Sequence, residues 1–84
     1  MTYDVRFSKQ AQKDICQLTP KLREKAKKII RNQIAVNPYE GKVLVGSMKG
    51  YYSVRLTYKD RIVYSVCDEK IIVFILRAKT HYGK

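Results

Sequence analysis

The spacing of apolar residues along the chain changes twice, and each change predicts a different type of element. Between Tyr3 and Phe7 apolar residues alternate with Asp4 and Arg6, a period of two that is typical of a strand with one buried face. The next two segments have the spacing of helices. From Val43 onward the chain returns to short alternating runs that predict strands.

Cap residues predict where the two helices begin. Ser8 is a suitable N-cap for a first helix with an apolar stripe of Ala11, Ile15 and Leu18. Thr19 is the cap of a second helix, with Pro20 in the first helical position. Its stripe consists of Leu22, Ala26, Ile29, Ile30 and Ile34. Asn37 and Pro38 are expected to end this helix.

Three main strands are predicted after the helices, and they complete the fold. They are Tyr52 to Tyr58, Ile62 to Val66 and Ile71 to Leu76. The last is apolar on both faces, which predicts an interior position beside the N-terminal strand. The predicted class is α+β: one domain over residues 1–84, with two helices on one face of a mainly antiparallel four-stranded sheet in the order β-α-α-β-β-β.

Register decides which side chains share a face of this sheet. Loops of three residues, Lys59–Arg61 and Asp68–Lys70, would bring the apolar sets together. Tyr58 would then pair with Ile62, and the core face of the last strand would consist of Ile72, Phe74 and Leu76. Arg77 would lie opposite Arg61, and three arginines would converge on the other face: Arg55, Arg61 and Arg77.

The chain is strongly basic, with 18 Lys and Arg against 7 Asp and Glu and a formal charge of +11. Such a charge is typical of proteins that bind nucleic acid, an acidic protein or an anionic membrane. The lysines of the second helix favour the simpler interpretation of a solvated surface. No apolar run approaches the roughly 20 residues that span a bilayer, which favours the cytoplasm and no membrane partner. Cys16 and Cys67 are predicted to be buried thiols.

Arginines held on a sheet bind phosphate bidentately, and the reaction that fits them is cleavage of an RNA phosphodiester by the ribose 2′-hydroxyl. No metal or other cofactor is predicted, because cations can stabilise the oxyanion while side chains transfer two protons. His81 is suited to protonating the leaving 5′-oxygen, and Tyr82 to stacking on a base or orienting a proton. The alternatives are cross-strand pairing of the arginines with Asp60 or Asp68, and a frayed tail without function at His81.

Several segments resemble the RelE/ParE superfamily of bacterial toxins. They are Gly50–Leu56, Asp60–Val66 and Ile72–Arg77. The ending Thr80-His81-Tyr82 is similar to the YoeB-type branch, whose chains end in a His-Tyr pair. The turn from Asn37 to Lys42 resembles that branch's Pro-Phe-Glu-Gly-Lys turn. The resemblance extends over essentially the whole chain.

The resemblance implies a type II toxin that cleaves mRNA in the A site of the 30S ribosomal subunit and is inhibited by a cognate acidic antitoxin. Arg55 and Arg61 match the family's phosphate-facing cations, while His81 and Tyr82 match the pair that acts on the leaving group and the nucleotide. These four are the predicted catalytic residues. The predicted RNA-binding residues are Lys42, Lys49, Arg77 and Lys79.

The general base is not assigned by the resemblance. In the YoeB-type branch it is a glutamate in the loop before the Gly-aromatic-Ser strand, but here Val45–Lys49 is shorter and has no carboxylate. Glu40 is the nearest acid but belongs to the preceding turn. Lys49 and His81 are alternatives.

Two other function classes fit parts of the sequence. A ParE-like inhibitor would bind DNA gyrase through protein contacts and would not need His81. A non-catalytic RNA-binding module would show salt-dependent affinity without cleavage.

Overall fold

The computed structural model describes residues 2–80 of the chain. Its helices and strands are β1 (Asp4–Phe7), α1 (Lys9–Gln17), α2 (Pro20–Ile29), β2 (Lys42–Val43), β3 (Tyr52–Arg55), β4 (Arg61–Cys67) and β5 (Ile72–Thr80). A π-helical turn, Ile30–Ile34, extends α2, and two 3₁₀ turns, Pro38–Glu40 and Gly46–Met48, flank β2. The predicted α+β class is confirmed.

The sheet has the strand order β1-β5-β4-β3-β2. β1 runs parallel to β5, and the other neighbours are antiparallel. The interior position predicted for β5, beside the N-terminal strand, is confirmed. The sheet has five strands instead of four, because Lys42 and Val43 pair with Ser53 and Tyr52 as a short edge strand.

Both predicted helix caps are present. Ser8 Oγ accepts the Ala11 N–H at 2.9 Å and donates to the Leu76 carbonyl at 2.7 Å, which joins α1 to β5. Thr19 Oγ1 accepts the Leu22 N–H at 3.3 Å. The Arg23 guanidinium donates to three carbonyls at the end of α1, which are those of Ile15, Cys16 and Leu18.

The two apolar stripes of the helical segment pack on one face of the sheet. They contribute Ala11, Leu18, Ala26, Ile30 and Ile34 to the core. The sheet contributes Leu56, Ile62, Tyr64, Val73 and Ile75. This burial is the main stabilising contribution to so small a domain.

The first hairpin differs from the prediction. Arg55 pairs with Arg61, so β3 ends before the predicted boundary. The turn is closed by Asp60, whose carbonyl accepts the N–H groups of Leu56 and Thr57, while Thr57 Oγ1 accepts the Asp60 N–H at 3.0 Å. Tyr58 is 87% exposed, and its predicted pairing with Ile62 is wrong.

The second hairpin is one residue longer than predicted. Cys67 pairs with Ile72, which leaves Asp68–Ile71 as the loop and turns β5 over. Val73 and Ile75 are therefore fully buried and Phe74 is 38% exposed, so the predicted core set of Ile72, Phe74 and Leu76 is wrong. The extra residue is Ile71, whose φ of 53° lies in the left-handed region that β-branched residues rarely adopt.

Two further expectations concern the surface. Cys16 and Cys67 are both free and exposed, so the prediction of buried thiols is wrong. Within residues 2–80, neither helix has the length and apolar character that crossing a bilayer requires.

Candidate functional site

Arg55 and Arg61 face each other directly across β3 and β4. They are Cα partners, so their side chains leave the same face of the sheet. Arg61 Nε donates to Ser53 Oγ at 3.0 Å, and Ser53 is buried. Among the described residues neither guanidinium takes part in an ion pair. Two like charges held opposite each other repel, and an anion bound between them would relieve that repulsion.

A polar cavity of about 230 Å³ opens beside Arg61. Two of the predicted site residues, Arg61 and Lys42, line it together, and Glu40 and Ser53 are also on its wall. The cavity is smaller than the roughly 300–1,000 Å³ pockets that enclose drug-sized ligands. Its size and its cations suit a phosphate-sized anion.

The turn Pro38–Glu40, which precedes Lys42 on β2, is bonded to the sheet beneath the cavity. Tyr64 Oη donates to the Pro38 carbonyl at 2.6 Å. Gly41 lies so close to Tyr64 that a Cβ atom at this position would overlap the hydroxyl. Burial raises the pKa of Tyr64 to about 12, so the hydroxyl remains a donor over the whole physiological range.

Arg77 does not join the other two arginines. The register of β4 and β5 shifts between Arg61 and Tyr64, so Arg77 lies opposite Val63 and not opposite Arg61. Its Nε donates to Asp14 Oδ2 at 2.8 Å and its Nη2 to Asp14 Oδ1 at 3.3 Å. The expected convergence of three arginines is therefore wrong, because the third is bound to helix α1. An RNA-binding role for Arg77 stays a prediction.

Asp14 is an important residue that the sequence analysis missed. Its side chain is 3% exposed and also accepts the Ala78 N–H at 3.1 Å and a Gln10 N–H at 3.0 Å. Burial favours the neutral acid, but the hydrogen bonds from Arg77, Ala78 and Gln10 outweigh burial and lower the pKa of Asp14. The sequence signal was its place within the α1 stripe, three residues after Ala11 and four before Leu18.

The remaining predicted site residues are Lys49, Lys79, His81 and Tyr82. Lys49 is exposed and follows the 3₁₀ turn Gly46–Met48. Lys79 belongs to β5, but its side chain lies outside the described residues, as do His81 and Tyr82. The backbone of Thr80 pairs with Arg61, so the last described residue is adjacent to the cavity.

Both acids proposed as partners of the arginines have other partners. Asp60 is bonded to Thr57 in the β3–β4 turn. Asp68 accepts from Tyr3 and Tyr39, and these hydrogen bonds lower the pKa of Asp68. Within residues 2–80, no group of three or more His, Cys, Asp or Glu side chains is arranged to hold a metal ion.

Comparisons with known proteins point to one family. The model of the YoeB-like toxin of bacterial type II toxin-antitoxin systems matches residues 7–82. No curated protein matches the chain. A solved RelBE2 toxin-antitoxin complex from Mycobacterium tuberculosis contains a chain that is 29% identical, with a TM-score of 0.86 over 98% of this chain and 100% of that chain.

Two structures from Staphylococcus aureus are also similar. The YoeB dimer is 28% identical, with a TM-score of 0.79, and the match covers 95% of this chain and 98% of that chain. A YoeB–YefM heterotetramer contains a chain that is 31% identical, with a TM-score of 0.68 and the same coverage of 95% and 98%.

Proposed function

The chain belongs to the family of YoeB-like toxins of bacterial type II toxin-antitoxin systems, and we propose that it is an endoribonuclease that cleaves mRNA in the ribosomal A site. The predicted family was therefore correct. The observation that supports the activity is the pair of Arg55 and Arg61, opposed across β3 and β4, together with the polar cavity that Arg61 lines. In the proposed reaction the ribose 2′-oxygen attacks the adjacent phosphorus and the 5′-oxygen leaves.

Each site residue has a proposed role in this reaction. Arg61, oriented by Ser53, stabilises the charge that develops on the phosphoryl oxygens, and Arg55 shares it. His81 protonates the leaving 5′-oxygen, and Tyr82 contacts the neighbouring nucleotide. Lys42 and Lys49, with Arg77 and Lys79, attract the RNA backbone and position it.

Growth and primer-extension assays on a reporter transcript test the activity. Brief induction of the wild type is expected to stop growth and to produce cuts within A-site codons. Arg61→Ala removes one transition-state donor and is expected to reduce cleavage by about 10²-fold or more. Arg31→Ala, an exposed arginine in the turn after α2, is the matched control and should cleave like the wild type.

The result that would contradict the proposal is undiminished cleavage by Arg61→Ala. Growth arrest with DNA damage and intact mRNA would instead favour the ParE-like gyrase inhibitor. Salt-dependent RNA binding without cleavage on ribosomes would favour the non-catalytic module.

A cognate acidic antitoxin is the proposed protein partner, and the cytoplasm is the proposed location. The formal charge of +11 favours an acidic partner, and the similar chains from M. tuberculosis and S. aureus were solved within toxin-antitoxin complexes. Co-expression with the product of the adjacent gene should restore growth. The partner proposal fails if no small acidic protein is encoded there and the chain alone is tolerated.

A further inference from the structure

One acidic side chain lies at the candidate site. The chain has seven Asp and Glu residues, and Glu40 lines the cavity with Arg61 and Lys42. The Glu40 side chain is exposed, and within residues 2–80 it forms no hydrogen bond or ion pair. The other six acids lie away from the cavity lining: Asp4, Asp14, Glu24, Asp60, Asp68 and Glu69. Glu40 is therefore the carboxylate that can meet a substrate bound there.

The backbone of Glu40 is held in place. Glu40 ends the 3₁₀ turn that begins at Pro38, and its N–H donates to the Asn37 carbonyl at 3.2 Å. The turn is anchored to β4 by the Tyr64–Pro38 hydrogen bond and by the close contact at Gly41. A group carried on an anchored turn keeps its geometry better than one on a free loop.

The cations beside Glu40 form a line across three strands. Lys42 on β2 pairs with Ser53 on β3, and Ser53 Oγ accepts the hydrogen bond from Arg61 on β4. Ser53 lies opposite Val63, so Arg61 is two strands away from Lys42 and two residues further along β4. The two backbones are therefore about 12 Å apart, which two long side chains can span to hold one phosphate. A phosphate held in this line has Glu40 beside it.

We propose that Glu40 is the general base of the cleavage reaction, an inference that rests on the proposed function. Its carboxylate removes the proton from the ribose 2′-hydroxyl as the 2′-oxygen bonds to phosphorus. The phosphorus–5′-oxygen bond then breaks, which gives a 2′,3′-cyclic phosphate, and the 5′-oxygen takes a proton from the general acid. One proton is removed and one is supplied, so no oxidant or further reactant is needed.

Glu40 is better suited to this step than the lysines considered from the sequence. An ammonium group is a donor only and accepts a proton only after it has lost one. Lys42 lies beside Arg61 in the cavity, where a second cation favours binding of the phosphate. Lys49 is not among the residues that line the cavity.

Single-turnover cleavage on ribosomes programmed with a defined mRNA tests the inference. Glu40→Gln keeps the size of the side chain and is expected to slow cleavage by about 10²–10⁴-fold. Glu40→Asp should retain an intermediate rate. Binding to ribosomes whose mRNA carries a 2′-deoxyribose at the cleavage position should be unchanged in both variants. Glu69→Gln, an exposed glutamate in the β4–β5 loop, is the matched control and should cleave like the wild type.

A second substrate distinguishes a general-base role of Glu40 from a general-acid role. When sulfur replaces the scissile 5′-oxygen, the leaving group no longer needs a proton. The Glu40→Gln defect should persist in full on this mRNA, whereas a defect in the general acid should be relieved.

The outcomes distinguish this inference from the function on which it rests. If the wild type does not cut mRNA on ribosomes, the proposed function itself is wrong. If the wild type cuts, Arg61→Ala does not, and Glu40→Gln cuts at the wild-type rate, only the role of Glu40 is overturned. Relief of the Glu40→Gln defect by the sulfur substrate, or loss of ribosome binding in that variant, would also overturn it.

Discussion

Replacing Asp14 with alanine removes the carboxylate that joins helix α1 to the second half of strand β5. β1 pairs with β5 only as far as Ile75. Beyond that point the edge of β5 is bonded to α1, through Ser8 to the Leu76 carbonyl and through Asp14 to the Ala78 N–H. The second half of β5 therefore depends on these side chains for contacts that β1 no longer supplies.

The expected loss of stability follows from the burial of each partner. Leaving the buried Ala78 N–H without an acceptor costs about 1–3 kcal/mol. Breaking a fully buried ion pair costs about 3–5 kcal/mol. The Arg77 side chain is 37% exposed and can be hydrated again, so the loss of its ion pair with Asp14 costs less than that. We expect a total loss of about 2–4 kcal/mol in the free energy of unfolding.

Urea unfolding followed by circular dichroism measures this loss, and thermal unfolding should show a Tm lower by about 5–6 °C per kcal/mol in a chain of this length. The stability of Asp14→Asn should lie between those of the wild type and Asp14→Ala. Its amide oxygen can accept the Ala78 N–H, but its NH₂ group cannot accept a hydrogen bond from Arg77. Asp4→Ala is the control, since Asp4 and Arg6 form an ion pair in which both side chains are exposed. This control should change stability by less than about 1 kcal/mol.

The pH dependence gives a second test of the same reasoning. The pKa of Asp14 is below its ordinary value of 3.8 in the folded chain, so the carboxylate stabilises the fold fully above that pH. The contribution is lost as the pH falls through the lower folded pKa. The difference between wild type and Asp14→Ala should therefore shrink below about pH 4. An Asp14→Ala variant that unfolds like Asp4→Ala at pH 7 would refute the assignment.

Two further predictions concern the anchor beneath the cavity. Gly41→Ala places a Cβ atom against the Tyr64 hydroxyl and should lower the free energy of unfolding by about 1–3 kcal/mol in urea; unchanged stability would show that the turn can move away. Tyr64→Phe removes the bond to the Pro38 carbonyl and should cost about 1–2 kcal/mol at neutral pH. Because burial raises the pKa of Tyr64 to about 12, the wild type should also lose stability between about pH 10 and 12. Hydrogen bonds to Asp68 raise the pKa of Tyr3 and Tyr39 as well, so the loss should be smaller in Tyr64→Phe without vanishing, and the exposed Tyr58→Phe should retain all of it. Identical alkaline profiles for the two variants would contradict the burial of the hydroxyl.

Local sequence signals predicted the helices and strands, but they did not predict the register between neighbouring strands. The caps at Ser8 and Thr19 depend on atoms three residues away, which is why they could be identified. The two hairpin registers were wrong because turn chemistry changed the loop lengths. Thr57 and Asp60 closed a longer first loop, and the left-handed Ile71 added a residue to the second.

The candidate site was predicted only in part. Arg55 and Arg61 share a face as expected, because the error in the first register was an even number of residues and kept the alternation. The error in the second was one residue next to the turn, and a further register shift between Val63 and Tyr64 placed Arg77 opposite Val63, where it is bonded to Asp14. Asp14 was not recognised, and Glu40 was set aside as part of the preceding turn, since the surroundings of both are built from segments far apart in the chain.

The sequence by itself determined the α+β class, the two capped helices, the basic character and the family, because periodicity, caps, charge and motifs are properties of neighbouring residues. Only the tertiary structure decided which charges meet. The bond between Asp14 and Arg77 spans 63 residues, and the cavity joins a turn at Glu40 to a strand that begins at Arg61. Such contacts depend on the free energy of packing the whole chain, which no local pattern contains.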